Sequence, residues 1–170
     1  EDPPPVLFVK GNPISIVSLP CLAIVGTREA SNNGLKISYR ISAYMAEQGW
    51  NIVSGLALGI DAEAHRGAIS VRGVTTAVLA HGLQEALPKR NAKLANEILE
   101  LGGCWVSEYS LGVKPAKQQF LARNRIQIGL SLGSLIIEAG INSGSMAQAR
   151  FCVRESRPLF CVVPDSKENK

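Results

Sequence analysis

The chain alternates between short, almost continuous apolar runs and longer stretches in which apolar residues recur every three or four positions. A strand buried on both faces gives the first pattern, and a helix packed on a sheet gives the second. "VLFVK" (6–10) predicts a short strand ending at Gly11-Asn12-Pro13, and "CLAIVG" (21–26) predicts a buried one. A helix over 33–48 places Ile37, Ile41, Tyr44 and Met45 on one stripe and stops at Gly49. The alternation continues with strand 50–55, helix 59–70, strand 75–82 and helix 91–101, closed by Gly102-Gly103. Strand 104–109, helix 119–131, strand 133–140, helix 144–155 and strand 159–164 complete it. Strands separated by helices imply a parallel sheet covered on both faces. The expected fold is therefore α/β, a doubly wound, mostly parallel, extended Rossmann-like sheet. It forms one domain over 1–170, with a lead-in over 1–20 and a frayed tail over 165–170.

Composition narrows the class without naming a function. The 46% hydrophobic and 19% charged shares are those of a globular chain. No apolar run approaches the roughly 20 residues that cross a bilayer. The opening "EDPPPVLFVKGN" lacks both an initiator Met and the basic start and apolar core of a signal peptide. A cytoplasmic location is expected. Cys21, Cys104, Cys152 and Cys161 lie far apart, with no C-x-x-C pair, and three of them sit in the apolar stretches "LPCLAIV", "GGCWVSE" and "LFCVVP". Buried, reduced thiols are the expectation.

Charge distribution says more than the net value of +4. Between Glu108 and Glu138 there is no acidic residue, while Lys114, Lys117, Arg123 and Arg125 fall inside that gap. Positive charge focused on one segment attracts phosphate more strongly than the same charge spread evenly.

In doubly wound sheets, ligands bind beyond the carboxyl ends of the strands, where the strand order reverses. The loops to inspect are then 26–32, 54–61, 80–90, 107–119 and 138–146. The first, "GTREASNNG", offers close backbone approach at Gly26, hydroxyls at Thr27 and Ser31, and a fixed charge at Arg28. Backbone amides at the following helix start favour an anion. Ser54-Gly55 and Gly59 frame a second tight turn, and Ser143-Gly144-Ser145 forms an amide-and-hydroxyl nest before the last helix. Lys117, Phe120, Arg123, Asn124 and Arg125 combine cations, an amide and an aromatic, the set with which single-stranded nucleic acid is held. Core packing is the plain alternative for Phe120, which has Leu121, Ile126 and Ile128 as apolar companions.

Enzyme chemistry finds less support. Asp61 and His65 share a helix face at i, i+4, but no third metal ligand follows with helical spacing, and an Asp–His hydrogen bond is the expected arrangement. The G-x-S-x-G elbow, the Walker loop and the G-x-G-x-x-G fingerprint are all missing. No catalytic residue, metal site or cofactor is assigned.

Taken in order, "AIVGTREAS", "VSGLALGIDAEAHRGAI", "WVSEY", "FLARNRIQIGLS" and "IIEAGINSGSMAQAR" resemble the DprA/Smf DNA-processing proteins over about residues 2–164. The resemblance implies a non-enzymatic protein that binds and protects incoming single-stranded DNA in natural transformation. It implies too a homodimer that helps load a RecA-type recombinase, with the DNA backbone in a positively charged pocket at the strand ends. Carried over, the DNA contacts are Gly26, Thr27, Arg28, Lys117, Phe120, Arg123, Arg125 and Ser143 to Ser145. Where relatives commonly have a proline and a second arginine before R-N-R, this chain has Leu121 and Ala122. The rival is a nucleotide-binding or nucleotide N-glycosidic-bond-hydrolysing enzyme or sensor with Glu138 as acid/base or ribose ligand, though the P-G-G-x-G-T signature is missing. A third reading is a dimerisation module using Met146, Ala149, Phe151 and Val153.

Overall fold

The computed structural model describes residues 3–141 and 143–163. Strands β1 (Phe8–Gly11), β2 (Cys21–Val25), β3 (Asn51–Ser54), β4 (Thr75–Val78), β5 (Cys104–Ser107), β6 (Gly133–Ile136) and β7 (Leu159–Cys161) form one sheet in the order β1-β5-β4-β3-β2-β6-β7. All pairs are parallel except the edge pair β1–β5, which is antiparallel from Phe8↔Ser107 to Gly11↔Cys104. The helices are α1 (Ile14–Ser18), α2 (Asn32–Glu47), α3 (Ile60–Ser70), α4 (Ala92–Glu100), α5 (Lys117–Leu130) and α6 (Gly144–Arg154), with a 3-10 turn at Lys89–Asn91. The doubly wound sheet expected from the alternation is present. α1 lies in what was read as lead-in, and the tail over 165–170 falls outside the described residues.

The order of the strands fixes where helices go. From β2 the chain steps outward through β3, β4 and β5, then crosses back to place β6 on the other side of β2. Because crossovers are right-handed, reversing the direction of travel puts the returning helix on the opposite face. Period-2 alternation follows this split. Leu22, Ile24 and Ile52 point with Ile60, Ala64 and Ala68 of α3 into one cluster, while Cys21, Val53, Val78, Cys104 and Val106 meet Ile126 of α5 in another. A third cluster joins Ala77 and Trp105 to Leu94, Ala95 and Ile98 of α4, and the Trp105 indole donates to Ala95 O at 2.8 Å.

Helix α2 departs from the expected pattern. Its fully buried positions are the small residues Gly34, Ser38, Ser42 and Ala46, whereas Ile37, Ile41 and Met45 are half-buried and Tyr44 is 61% exposed. Close approach to α3 is the cause. Ser38 Oγ donates to Ile60 O at 2.9 Å, and Gly67 lies so near Tyr39 O that no side chain fits there. Large apolar residues on that stripe would push the helices apart, so Tyr44 is turned outward. The cysteine expectation holds for Cys21, Cys104 and Cys152, all free and buried; Cys161, on edge strand β7, is free but exposed.

His65 is fully buried on α3, with Nδ1 2.7 Å from Thr75 Oγ1 and Nε2 unpartnered. The Asp61–His65 bond expected from the spacing is replaced by this contact, because the imidazole reaches across to β4 instead. Burial, with the charges of Arg123 and Arg66, holds its pKa down to about 3. The unfolded chain takes up a proton near the ordinary histidine value that the folded chain refuses until about pH 3. Stability must therefore fall as pH drops through that window. The urea midpoint is expected to decline between pH 7 and 4, and part of that decline should vanish in His65→Gln. An unchanged pH profile in the variant would show that other groups drive it.

Candidate nucleic-acid interface

The strand order reverses between β2 and β6, and the loops beyond their carboxyl ends lead into different helices, α2 and α6. A crevice of about 320 Å³ opens at that split. The turn Gly26–Glu29 forms one wall, Phe120, Arg123, Asn124 and Gln127 of α5 a second, and Ser143–Ser145 with Gln148 the start of α6. The α5 residues fall at positions 120, 123, 124 and 127, the spacing of a single helix face.

A buried anchor shapes the floor. Asp61, 5% exposed at the start of α3, accepts the amides of Gly55 (3.1 Å) and Ala57 (3.4 Å), and the Gly26 amide also hydrogen-bonds to it. Burial pushes this carboxyl up, opposed by the neighbouring Arg123 guanidinium and those three amides. Arg123 is itself 6% exposed, donates to Val78 O and lies directly against Gly55, where any side chain would collide with the guanidinium. One carboxylate thus ties together the turns after β2 and β3 and the middle of α5. The sequence spacing drew attention to Asp61 for a metal or acid/base role, and among the described residues no group of three metal-ligating side chains exists.

The loop and helix residues expected at the site take varied places. Gly26 and Thr27 line the crevice, and a Cβ on Gly26 would come within 2.5 Å of the Ile60 side chain. Arg28 is exposed and stands over the Phe120 ring, 5.4 Å from its centroid. Asn124 donates to Gly144 O at 3.1 Å, docking α6 on α5. Ser143 is the N-cap of α6, but its hydroxyl makes no cap bond and is buried without a partner. Ser145 is buried on the crevice wall and Gly144 is exposed.

The remaining residues lie elsewhere. Ser31 caps α2, its hydroxyl accepting the Gly34 amide at 3.0 Å and donating to Glu138 at 2.9 Å. Ser54 is fully buried and donates to Ile24 O at 2.7 Å, clamping β3 to β2. Lys117 is exposed at the first position of α5, away from the crevice lining. Arg125 faces another way: it makes a two-pronged pair with Glu108 at 2.8 and 2.6 Å, which holds the Glu108 carboxyl below its ordinary range. Both oxygens of Glu138 turn to the Ser31 amide at the start of α2, and its side chain does not line the crevice.

Two glutamines escaped the sequence reading. Gln127 is fully buried, lines the crevice and has both amide atoms unpartnered; Gln148 is 1% exposed and reaches Ser134 Oγ at 3.4 Å. The signal for Gln127 was its polarity inside "RIQIGL", three and four residues after Asn124 and Arg123. With Arg123 Nε and Ser143 Oγ, also buried and unpartnered, Gln127 gives the crevice unused hydrogen-bonding capacity.

Fold and crevice together define a Rossmann-type α/β protein with a polar-lined crevice at its switch point. The family described as DNA recombination-mediator protein A matches residues 1–170. Protein Smf of Escherichia coli is 43% identical over 161 residues, covering 95% of this chain and 43% of that protein. The DNA processing protein DprA of Bacillus subtilis is 36% identical over 161 residues, covering 95% and 54%. The solved structure of DNA processing protein A from Helicobacter pylori, described for its single-stranded DNA binding mode, superposes with a TM-score of 0.91 at 33% identity, covering 98% of this chain and 75% of that one. A molybdenum cofactor binding protein from Rippkaea orientalis, 18% identical with a TM-score of 0.64, shares the fold alone. The chain belongs to the DprA/Smf family, and spans about half the length of the curated relatives it matches.

Asp61→Ala would leave the Arg123 guanidinium buried and uncompensated, which should cost about 3–5 kcal/mol of stability. Asp61→Asn, which keeps an acceptor but loses the charge, should fall between that variant and the parent. Urea unfolding at neutral pH measures both, and a near-neutral Asp61→Ala would disprove the anchoring role.

Proposed function

We propose that this chain binds single-stranded DNA in the crevice between β2 and β6, without turnover, as a cytoplasmic DNA-processing protein. The observation that carries the reading is the pairing of Arg28 and Phe120 above a floor of unpartnered polar groups. A backbone phosphate would sit against the Gly26–Arg28 turn and the first amides of α6, with the Ser143 hydroxyl as a further donor. Phe120 would stack on an unpaired base, and a base locked in a duplex cannot offer that face. Every nucleotide has a phosphate and every base a π-face, so binding tolerates sequence. The single-stranded DNA binding mode described for the Helicobacter pylori relative supports the same reading.

The residues proposed to hold the strand are Gly26, Thr27, Arg28, Phe120, Ser143, Gly144 and Ser145, with Lys117 steering from the rim. Asn124, Arg123, Ser31, Ser54 and Gly55 set the shape of the pocket. Arg125, committed to Glu108, would contribute only to the surrounding field. Assembly as a homodimer and transfer of the strand to a RecA-type recombinase during natural transformation extend the reading through the family.

Arg28→Ala should weaken binding of a labelled single-stranded oligonucleotide for every sequence tested and lower the salt slope by about one unit. Lys117→Ala should lower the slope with a smaller loss of affinity. Fluorescence anisotropy over a salt series, against a matching duplex, checks both. Arg28→Ala binding as tightly as the parent at all salt concentrations would refute the assignment.

A further inference from the structure

Beside the crevice lies a second groove of about 390 Å³, sharing Arg28 and Glu29 with it. Arg66 of α3 and Arg90 of the 3-10 turn form its other walls. Three arginines from three separate segments are thus brought to one depression next to the proposed DNA site. Their positions are built rather than incidental. Gly59 presses on the Arg28 turn, where a Cβ would fall 2.5 Å from Thr27 O and 2.6 Å from Arg28 O, and the Ile60 amide donates to Thr27 O at 3.2 Å. The turn carrying Arg90 is tied down by buried Asn91, whose amide donates to Leu56 O at 2.9 Å and Ala57 O at 3.1 Å.

Two carboxylates share the groove and decide what it can take. Glu63 pairs with Arg66 at 2.5 Å, and Glu29 stands at the boundary with the crevice. Arg66 is exposed and Glu63 half-buried, and ion pairs at the surface hold weakly in water. A phosphate can therefore replace Glu63 on Arg66, accepting two N–H groups at once. No aromatic side chain lines the groove, in contrast to the crevice with Phe120. A surface with guanidiniums on anchored backbone segments and no stacking platform suits a sugar–phosphate backbone and not its bases.

We propose that this groove is a second subsite for the same DNA strand, holding the phosphodiester backbone where it leaves the crevice over Arg28. The inference rests on the crevice being the DNA site. The strand then exits towards α3 and the 3-10 turn, so a longer oligonucleotide gains contacts that a short one cannot reach. Glu63 acts as a brake on this subsite by occupying Arg66.

The test compares labelled oligothymidylates of about 4 and about 16 nucleotides, the range of single-strand site sizes, on the whole chain. The double variant Arg66→Ala/Arg90→Ala should weaken the longer oligonucleotide several-fold and reduce its salt slope, with a far smaller effect on the shorter one. Equal effects at both lengths, or none at either, would overturn the proposal. Glu63→Gln should tighten binding of the longer oligonucleotide, a gain that no folding defect can imitate; unchanged or weaker binding would overturn it. Failure of the crevice reading would look different, because Arg28→Ala would then leave the short oligonucleotide bound as tightly as before.

Discussion

The carboxylate of Asp61 is the constraint on which the candidate site depends. It is buried at the first turn of α3, and it accepts backbone amides from the turns after β2 and β3 while facing the guanidinium of Arg123. Each of these groups would be costly to bury alone. The amides satisfy the carboxylate, the nearby guanidinium offsets its charge, and three segments distant in sequence are held in place. Arg123 in turn requires glycine at position 55, and its Nε–H is buried without a partner. The crevice owes its form to this buried charge pair as much as to the sheet beneath it.

Sheet topology supplies the place and the anchor supplies the shape. A strand order that reverses between β2 and β6 leaves a gap that no side chain from a neighbouring strand can fill. The sequence lines that gap with groups that are short of partners: the Gln127 amide, Ser143 Oγ and the start of α6. Buried polar atoms without partners are uncommon in native proteins, and their concentration beside Arg28 and Phe120 is what supports the proposed binding there. Glu138 and Ser31, although close by, are spent on capping α2 and so belong to the frame.

Charge is divided in the same way between frame and surface. The acid-free run from Glu108 to Glu138 suggested four cations acting together, but folding separates them. Arg123 is buried against Asp61, Arg125 is paired with Glu108 on another face, and Lys114 and Lys117 stay exposed. Arg28, Arg66 and Arg90 are 24 to 62 positions apart and yet converge around one groove. A linear count of charge cannot see such a cluster.

The alternation of apolar runs was enough to specify the parallel sheet, because strands buried on both faces must be apolar throughout. It also gave the approximate bounds of most elements, and the short motifs after β2 and β6 do line one crevice at the carboxyl end of the sheet. The Gly26–Arg28 and Ser143–Ser145 turns could be picked out because small residues and hydroxyls there answer to local backbone geometry. What periodicity could not show was which helix face approaches another closely, so Tyr44 was placed inside and Ser38 and Ser42 were overlooked. Nor could it tell that Ser54 would vanish into a β2–β3 clamp, or that Gln127 would be buried at the crevice with both amide atoms unpartnered. Those outcomes depend on contacts between residues far apart in the chain, where the gain from satisfying a buried carboxylate or packing two helices is decided. The sequence alone determined the order and type of the elements; only the tertiary structure decided which polar groups are used up in holding them together and which are left to bind.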